Sequence, residues 1–195
     1  MEATTQDITF TTPSDREAVL TCVFDAPRDL VFRTVLDPDL IADWWGPKRF
    51  SVRVDHMDVR PGGAWRFVLR DSVSRVFTFH GEFREVTAPE RVSYTFEFEA
   101  LPGHAVVETA QFDDLGGERT RVTLTSLFGS QADRDVALRW GVRDGALEAV
   151  DRLADLLMRC AARPSAGGGP GMCVAETGGT AGPEEAGTRG DARPD

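Results

Sequence analysis

Apolar and polar positions along this chain change period several times, and the changes mark its elements. Arg16 to Phe24 reads as a first strand, rich in apolar and β-branched residues. Asp25-Ala26-Pro27 follows as a helix start, and Leu30, Val31, Thr34 and Val35 lie at helical spacing. Asp37-Pro38 repeats the signal ahead of Leu40, Ile41, Trp44 and Trp45, and Gly46-Pro47 ends that second short helix.

A period of two then takes over. Phe50, Val52 and Val54 alternate, after which the apolar phase moves to Met57 and Val59. That slip predicts a bulge near Asp55 and His56. Trp65, Phe67 and Leu69 mark a third strand beyond the turn Pro61-Gly62-Gly63. Phe77, Phe79, Gly81 and Phe83 share one face of a fourth, and Val92, Tyr94, Phe96 and Phe98 one face of a fifth. Ala105 to Phe112 makes a sixth and Thr120, Val122 and Leu124 a seventh, joined through Asp114 to Gly117. Such alternation implies an antiparallel sheet with one buried and one solvated face.

The last element reads as a helix from Gln131 to Arg159. Ser130 and Asp133 cap it, and Val136, Leu138, Val142, Ala146, Val150, Leu153 and Leu157 recur at spacings of three and four. It would be about 43 Å long at 1.5 Å per residue. The fold class expected is therefore α+β: a curved seven-stranded antiparallel sheet wrapped around one long C-terminal helix, with two short helices between strands one and two. The expected division is an N-terminal extension over 1–15, one domain over 16–160, and a Gly/Ala/Pro-rich tail over 161–195. That tail has no aromatic residue to offset its ordering entropy and is expected to be disordered.

Composition narrows the function classes. The net charge is −10, Lys48 is the only lysine, and no basic run exists, which argues against nucleic acid as a partner. Met1 to Thr12 is polar and lacks a signal-peptide core, and no window approaches the ~18 apolar residues of a membrane span. The expected location is the cytoplasm. Cys22, Cys160 and Cys173 form no CxxC pair and are expected as reduced thiols. His56, His80 and His104 are too scattered for a metal site, and no cofactor is expected.

The strongest chemical signal is aromatic. Trp44, Trp45, Trp65, Phe67, Phe79, Tyr94, Phe96 and Trp140 are expected to face the interior or its mouth, as plain core or as the lining of an apolar ligand cavity. Gly141, Gly145 and Ala149 make a small-residue stripe on the long helix. Glycine there costs ~1 kcal/mol against alanine, so either close backbone contact or ligand space is implied. Glu108 shares a face with Val106, Ala110 and Phe112. If that face is internal, Glu108 is a carboxylate with a raised pKa; if not, it is solvated. No nucleophile elbow or phosphate loop is present, and no catalytic residue is assigned.

Several segments resemble a known family. Phe24 to Arg28, Asp37-Pro38 through Trp44-Trp45-Gly46-Pro47, and Asp58 through Arg60-Pro61-Gly62-Gly63-Ala64-Trp65 look like bacterial homologues of the activator of heat-shock-protein-90 ATPase. Glu108-Thr109, Gly117, Thr120 to Thr125 and Gly141 to Leu157 agree, so the resemblance spans residues ~16–158 in element order, as one domain of that length would. It implies the START-like helix-grip fold of the SRPBCC superfamily, whose members include lipid carriers and polyketide cyclases and share a hydrophobic cavity. It also implies a link to chaperones and the stress response, although the additional N-terminal domain of such activators is not expected here. It supplies no catalytic residue.

Three readings follow. The first is a module binding a hydrophobic or aromatic small molecule between sheet and helix. The second is a chaperone-associated interaction module, presenting an apolar patch around Trp44 and Trp45. The third is a cyclase, dehydratase or hydrolase using the same cavity. The chain is expected as a monomer or homodimer.

Overall fold

The computed structural model describes residues 6–162. The segment expected to be a disordered tail lies, but for its first two residues, outside them. Among the described residues the chain forms eight strands: β1 (Gln6–Thr11), β2 (Glu17–Phe24), β3 (Phe50–Met57), β4 (Ala64–Asp71), β5 (Val76–Thr87), β6 (Arg91–Phe98), β7 (Val106–Gly116) and β8 (Arg119–Leu127). Four helices accompany them: α1 (Arg28–Leu36), α2 (Ile41–Trp44), α3 (Gln131–Arg139) and α4 (Val142–Ala161). One antiparallel sheet runs in the order β1-β2-β8-β7-β6-β5-β4-β3.

The architecture is α+β with helices packed on one face of a large antiparallel sheet. Two expectations need correction. The sheet has eight strands, not seven. Gln6–Thr11 pairs with β2 at the sheet edge, bringing Ile8 and Phe10 against the core. Its sequence, QDITFT, carries only two large apolar residues and so gave little strand signal.

The C-terminal helix is also not continuous. It breaks at Trp140-Gly141, where Gly141 adopts φ +84° and serves as N-cap of α4. Left-handed backbone is a helix stop, and glycine takes it without the Cβ penalty. The i, i+3, i+4 pattern runs through the break, so periodicity alone cannot detect it.

Most of the core lies between α4, α1 and the concave face of the sheet. Leu20, Cys22 and Phe24 of β2, Trp65, Phe67 and Leu69 of β4, and Ala110 and Phe112 of β7 meet Val31 and Phe32 of α1 and Val150, Leu153, Ala154 and Leu157 of α4. Burying a Leu, Val or Phe contributes about 1.5–3 kcal/mol each. The Thr120 hydroxyl donates to the Ala26 carbonyl at 2.7 Å, tying the start of β8 to the entry of α1. Ser130 caps α3, its hydroxyl accepting from the Asp133 N–H at 3.1 Å. The expected bulge in β3 is present as a register shift between Val54 and His56.

The cysteines also differ from expectation. Cys22 is a buried free thiol, pushed up to about 12 by burial. Cys160 is disulfide-bonded. Scattered cysteines carry no spacing signal for such a bond.

Candidate functional site

Two sequence segments build the walls. In the first, the chain leaves α2 as Trp45-Gly46-Pro47, with Gly46 at φ +74°. Arg152 of α4 holds this loop. Its guanidinium donates to the carbonyls of Ala42 (2.8 Å), Asp43 (3.1 Å), Trp45 (3.3 Å) and Gly46 (2.9 Å). These are the acceptors that a helix end leaves unpaired, and a fork-shaped cation suits them. The Lys48 N–H donates to the Glu148 carboxylate at 2.9 Å. Gly145 lets Pro47 approach: a Cβ there would lie 3.2 Å from the proline ring. Gly145, Glu148 and Arg152 thus form one stripe that clamps the loop and turns the Trp45 ring onto the sheet.

In the second, the turn before β4 docks on β5. Gly62 donates its N–H to the Phe83 carbonyl, and the Phe83 N–H returns to the Gly63 carbonyl, both at 2.8 Å. Trp65 then reaches across β5, and its indole N–H donates to the Thr95 carbonyl on β6 at 3.2 Å. It passes over Gly81, where a Cβ would stand 1.7 Å from the Thr95 oxygen and 2.7 Å from the indole nitrogen.

The result is a continuous cluster of rings. Trp45 meets Phe67 edge-on at 5.1 Å between centroids, Phe79 at 5.8 Å and Phe96 at 6.2 Å. Phe79 stacks on Phe96 at 5.1 Å. Trp65 lies 4.7 Å from Phe67 and 6.0 Å, edge-on, from Tyr94. Trp45, Phe79, Tyr94 and Phe96 stay partly exposed although they face inward. So do Leu124 and Ser126 of β8. α3 has no fully buried residue. The fully buried part of the concave face lies under the C-terminal half of α4, from Val150 onward.

Glu108 stands at the end of this ring cluster. It pairs across the sheet with Tyr94 on one side and Ser126 on the other. Its face is therefore the internal one, the choice that alternation alone left open. The Ser126 hydroxyl donates to Glu108 Oε2 at 2.9 Å. Loss of hydration pushes the Glu108 carboxyl up to about 7, against the smaller opposing effect of the Ser126 hydrogen bond. Tyr94 is driven well above its ordinary range by burial and by the neighbouring Glu108 charge.

Not every expected site residue joins this cluster. Trp140 is 63% exposed, because the helix break leaves it on the surface instead of over the sheet. Gly141 provides the break itself, and Gly145 serves the Pro47 contact. Trp44 packs with Leu40, Leu156 and Cys160 as well as against the main core, and its buried indole nitrogen has no hydrogen-bond partner among the described residues. His80 faces outward among Glu97, Glu99 and Arg66. His104 Nδ1 lies 2.7 Å from Asp133, against the cap of α3. Among the described residues no His/Cys/Asp/Glu group could hold a metal, and no helix is long and apolar enough to cross a membrane. Sequence reasoning missed Ser126 and Arg152. Ser126 was detectable as the polar continuation of the Val122, Leu124 face; Arg152 gave no signal of its own on a helix rich in charge.

An antiparallel sheet carrying a ring-lined concave face under C-terminal helices is the helix-grip class of α+β protein. Within it, the chain belongs to the family described as activator of Hsp90 ATPase homolog 1-like protein, whose model matches residues 25–158. Among solved structures, protein Ms6760 from Mycobacterium smegmatis is 22% identical, with a TM-score of 0.69 over 79% of this chain and 97% of that one. A protein from Arthrobacter aurescens is 20% identical, with a TM-score of 0.73 over 80% and 93%. The AHSA1 protein from Silicibacter pomeroyi is 21% identical, with a TM-score of 0.61 over 73% and 98%. At these identities the likeness is one of fold. No curated protein matches the chain.

Proposed function

We propose that this protein binds a hydrophobic, ring-bearing small molecule in a cavity between the β5–β8 half of the sheet and α3. The observation carrying this reading is the partial exposure of Trp45, Phe79, Tyr94 and Phe96, which face inward in one ring cluster. Inward rings left accessible at the centre of a sheet are what an apolar ligand would cover. Family membership supports it, since the fold class suits a ligand-binding domain. Native mass spectrometry of the purified full chain, incubated with a panel of aromatic compounds and lipids, tests the reading. A one-to-one adduct that disappears on denaturation is expected. A chain that stays clean across the whole panel would sink it.

A second reading is favoured by the family match alone: a chaperone-associated module acting on an Hsp90-type ATPase. Trp44 and Trp45 are both partly buried against the core. Trp140 and Val142, 63% and 47% exposed at the helix break, are the large apolar side chains available there. An unchanged chaperone ATPase rate over a wide range of added protein would remove this reading.

A further inference from the structure

Three polar side chains form one row on the concave face. Tyr94, Glu108 and Ser126 are direct cross-strand neighbours on β6, β7 and β8, which brings their Cβ atoms to about 5 Å from one another in sequence along the row. Ser126 holds Oε2 of Glu108 at 2.9 Å. The second carboxyl oxygen and the Tyr94 hydroxyl have no hydrogen-bond partner among the described residues. Neither is among the fully enclosed unpaired side-chain atoms, which are Trp44 Nε1 and His80 Nδ1. One unpaired acceptor and one unpaired donor therefore stand side by side on the concave face. The ring wall ends on them, with Trp65 and Phe83 both edge-on to Tyr94.

We propose that this row is the polar end of the ligand site, and that it takes an acidic hydroxyl, a phenol or enol, borne on a planar ring system. The ligand hydroxyl donates to Glu108 while its oxygen accepts from Tyr94. When the proton moves, the ligand O–H bond breaks, an O–H bond forms on Glu108, and the Tyr94 hydroxyl donates to the oxyanion left behind. No other reactant is needed. The assignment rests on the small-molecule reading above and adds the chemistry of the ligand.

Two further facts fit. Among the described residues no cation acts on Glu108: the groups that meet it from the flanking strands are Tyr94 and Ser126, and its shift comes from burial and the Ser126 hydrogen bond alone. A fixed carboxylate ligand would thus meet repulsion, whereas a hydroxyl of matched acidity shares one proton with it. Burial also brings Glu108 to about 7, close to the acidity of activated phenols and enols.

Calorimetry on the full chain with para-nitrophenol and para-nitroanisole tests the assignment. These share a ring and differ by the hydroxyl proton. The phenol is expected to bind about tenfold or more tightly than the ether near neutral pH. Its affinity should pass through a maximum with pH, because the complex holds one proton where the free partners together hold two in acid and none in base. Glu108→Gln should reduce the preference to about threefold or less and abolish the acidic limb. Tyr94→Phe should weaken the phenol and leave the ether unchanged. Equal binding of phenol and ether by the unaltered chain would overturn this assignment and leave the cavity reading standing. Binding of neither would overturn both.

Discussion

At Gly81 there is no room for a side chain. A Cβ would overlap the Thr95 carbonyl and press on the Trp65 indole, and both neighbours are fixed by their mutual hydrogen bond. Gly81→Ala is therefore expected to destabilise the fold by about 3 kcal/mol, the upper part of the range for overpacking, read as a lower midpoint in urea unfolding. An unchanged midpoint would mean that Trp65 does not cross β5 at this point. Gly141 is different in kind: a Cβ there meets nothing within 4 Å, but φ is +84°. Gly145 is a third kind, because its Cβ would touch only the Pro47 ring. In sequence these three of the chain's 19 glycines look alike, and only the fold shows that one is needed for space across a sheet, one for backbone angle and one for helix–loop contact. The stripe read along the helix thus had two causes, one at each glycine.

Among elements, the strands were the most legible. Alternation gave the faces of β4, β5 and β6 and the bulge in β3, because a period of two admits few other arrangements. Edge strand β1 was not legible, since an edge needs little apolar content to pair. The helix break was not legible either, because a left-handed residue interrupts the backbone without interrupting the apolar spacing. For the candidate site, the rings could be read from sequence, whereas Glu108 could not be placed: both faces of β7 begin with apolar residues, and only pairing with Tyr94 and Ser126 selects one. Long-range tethers such as Arg152 were beyond reach, since an arginine donating to four carbonyls looks in sequence like any solvated arginine. Arg152→Met should lower stability by about 2 kcal/mol through the unpaired carbonyls of the α2 end. Arg152→Lys should recover only part of it, because an ammonium cannot fork across them. Urea unfolding of both variants checks this, and full rescue by lysine would contradict the clamp.

For the molecule as a whole, Glu108 sets a pH dependence. It ionises at about 7 in the folded chain against an ordinary value of 4.5, so the folded state holds this proton more firmly than the unfolded one. Its favourable share is complete below about 4.5 and is lost as pH rises to about 7, amounting to about 3 kcal/mol. The carboxylates held low act in another window. Glu99, through its bond from Arg66, and Asp133, through Ser130 and His104, lose their contribution only as pH falls through the acid range. Glu108→Gln should therefore be the more stable form at about pH 8, with no such gain at about pH 5. Denaturant titrations of both proteins at the two pH values measure it. Parallel curves would show that Glu108 is not embedded as described.

The division of the C-terminal segment at Gly141 has an evolutionary consequence. Stability is concentrated in α4, whose Val150, Leu153, Ala154 and Leu157 are buried, while α3 has no fully buried residue and meets the rest of the fold through Arg134 and Ala137. Mutations at the exposed α3 positions Gln131, Ala132 and Arg139 are consequently filtered least by selection for foldedness. A lineage can explore new specificities there without first acquiring compensating changes elsewhere.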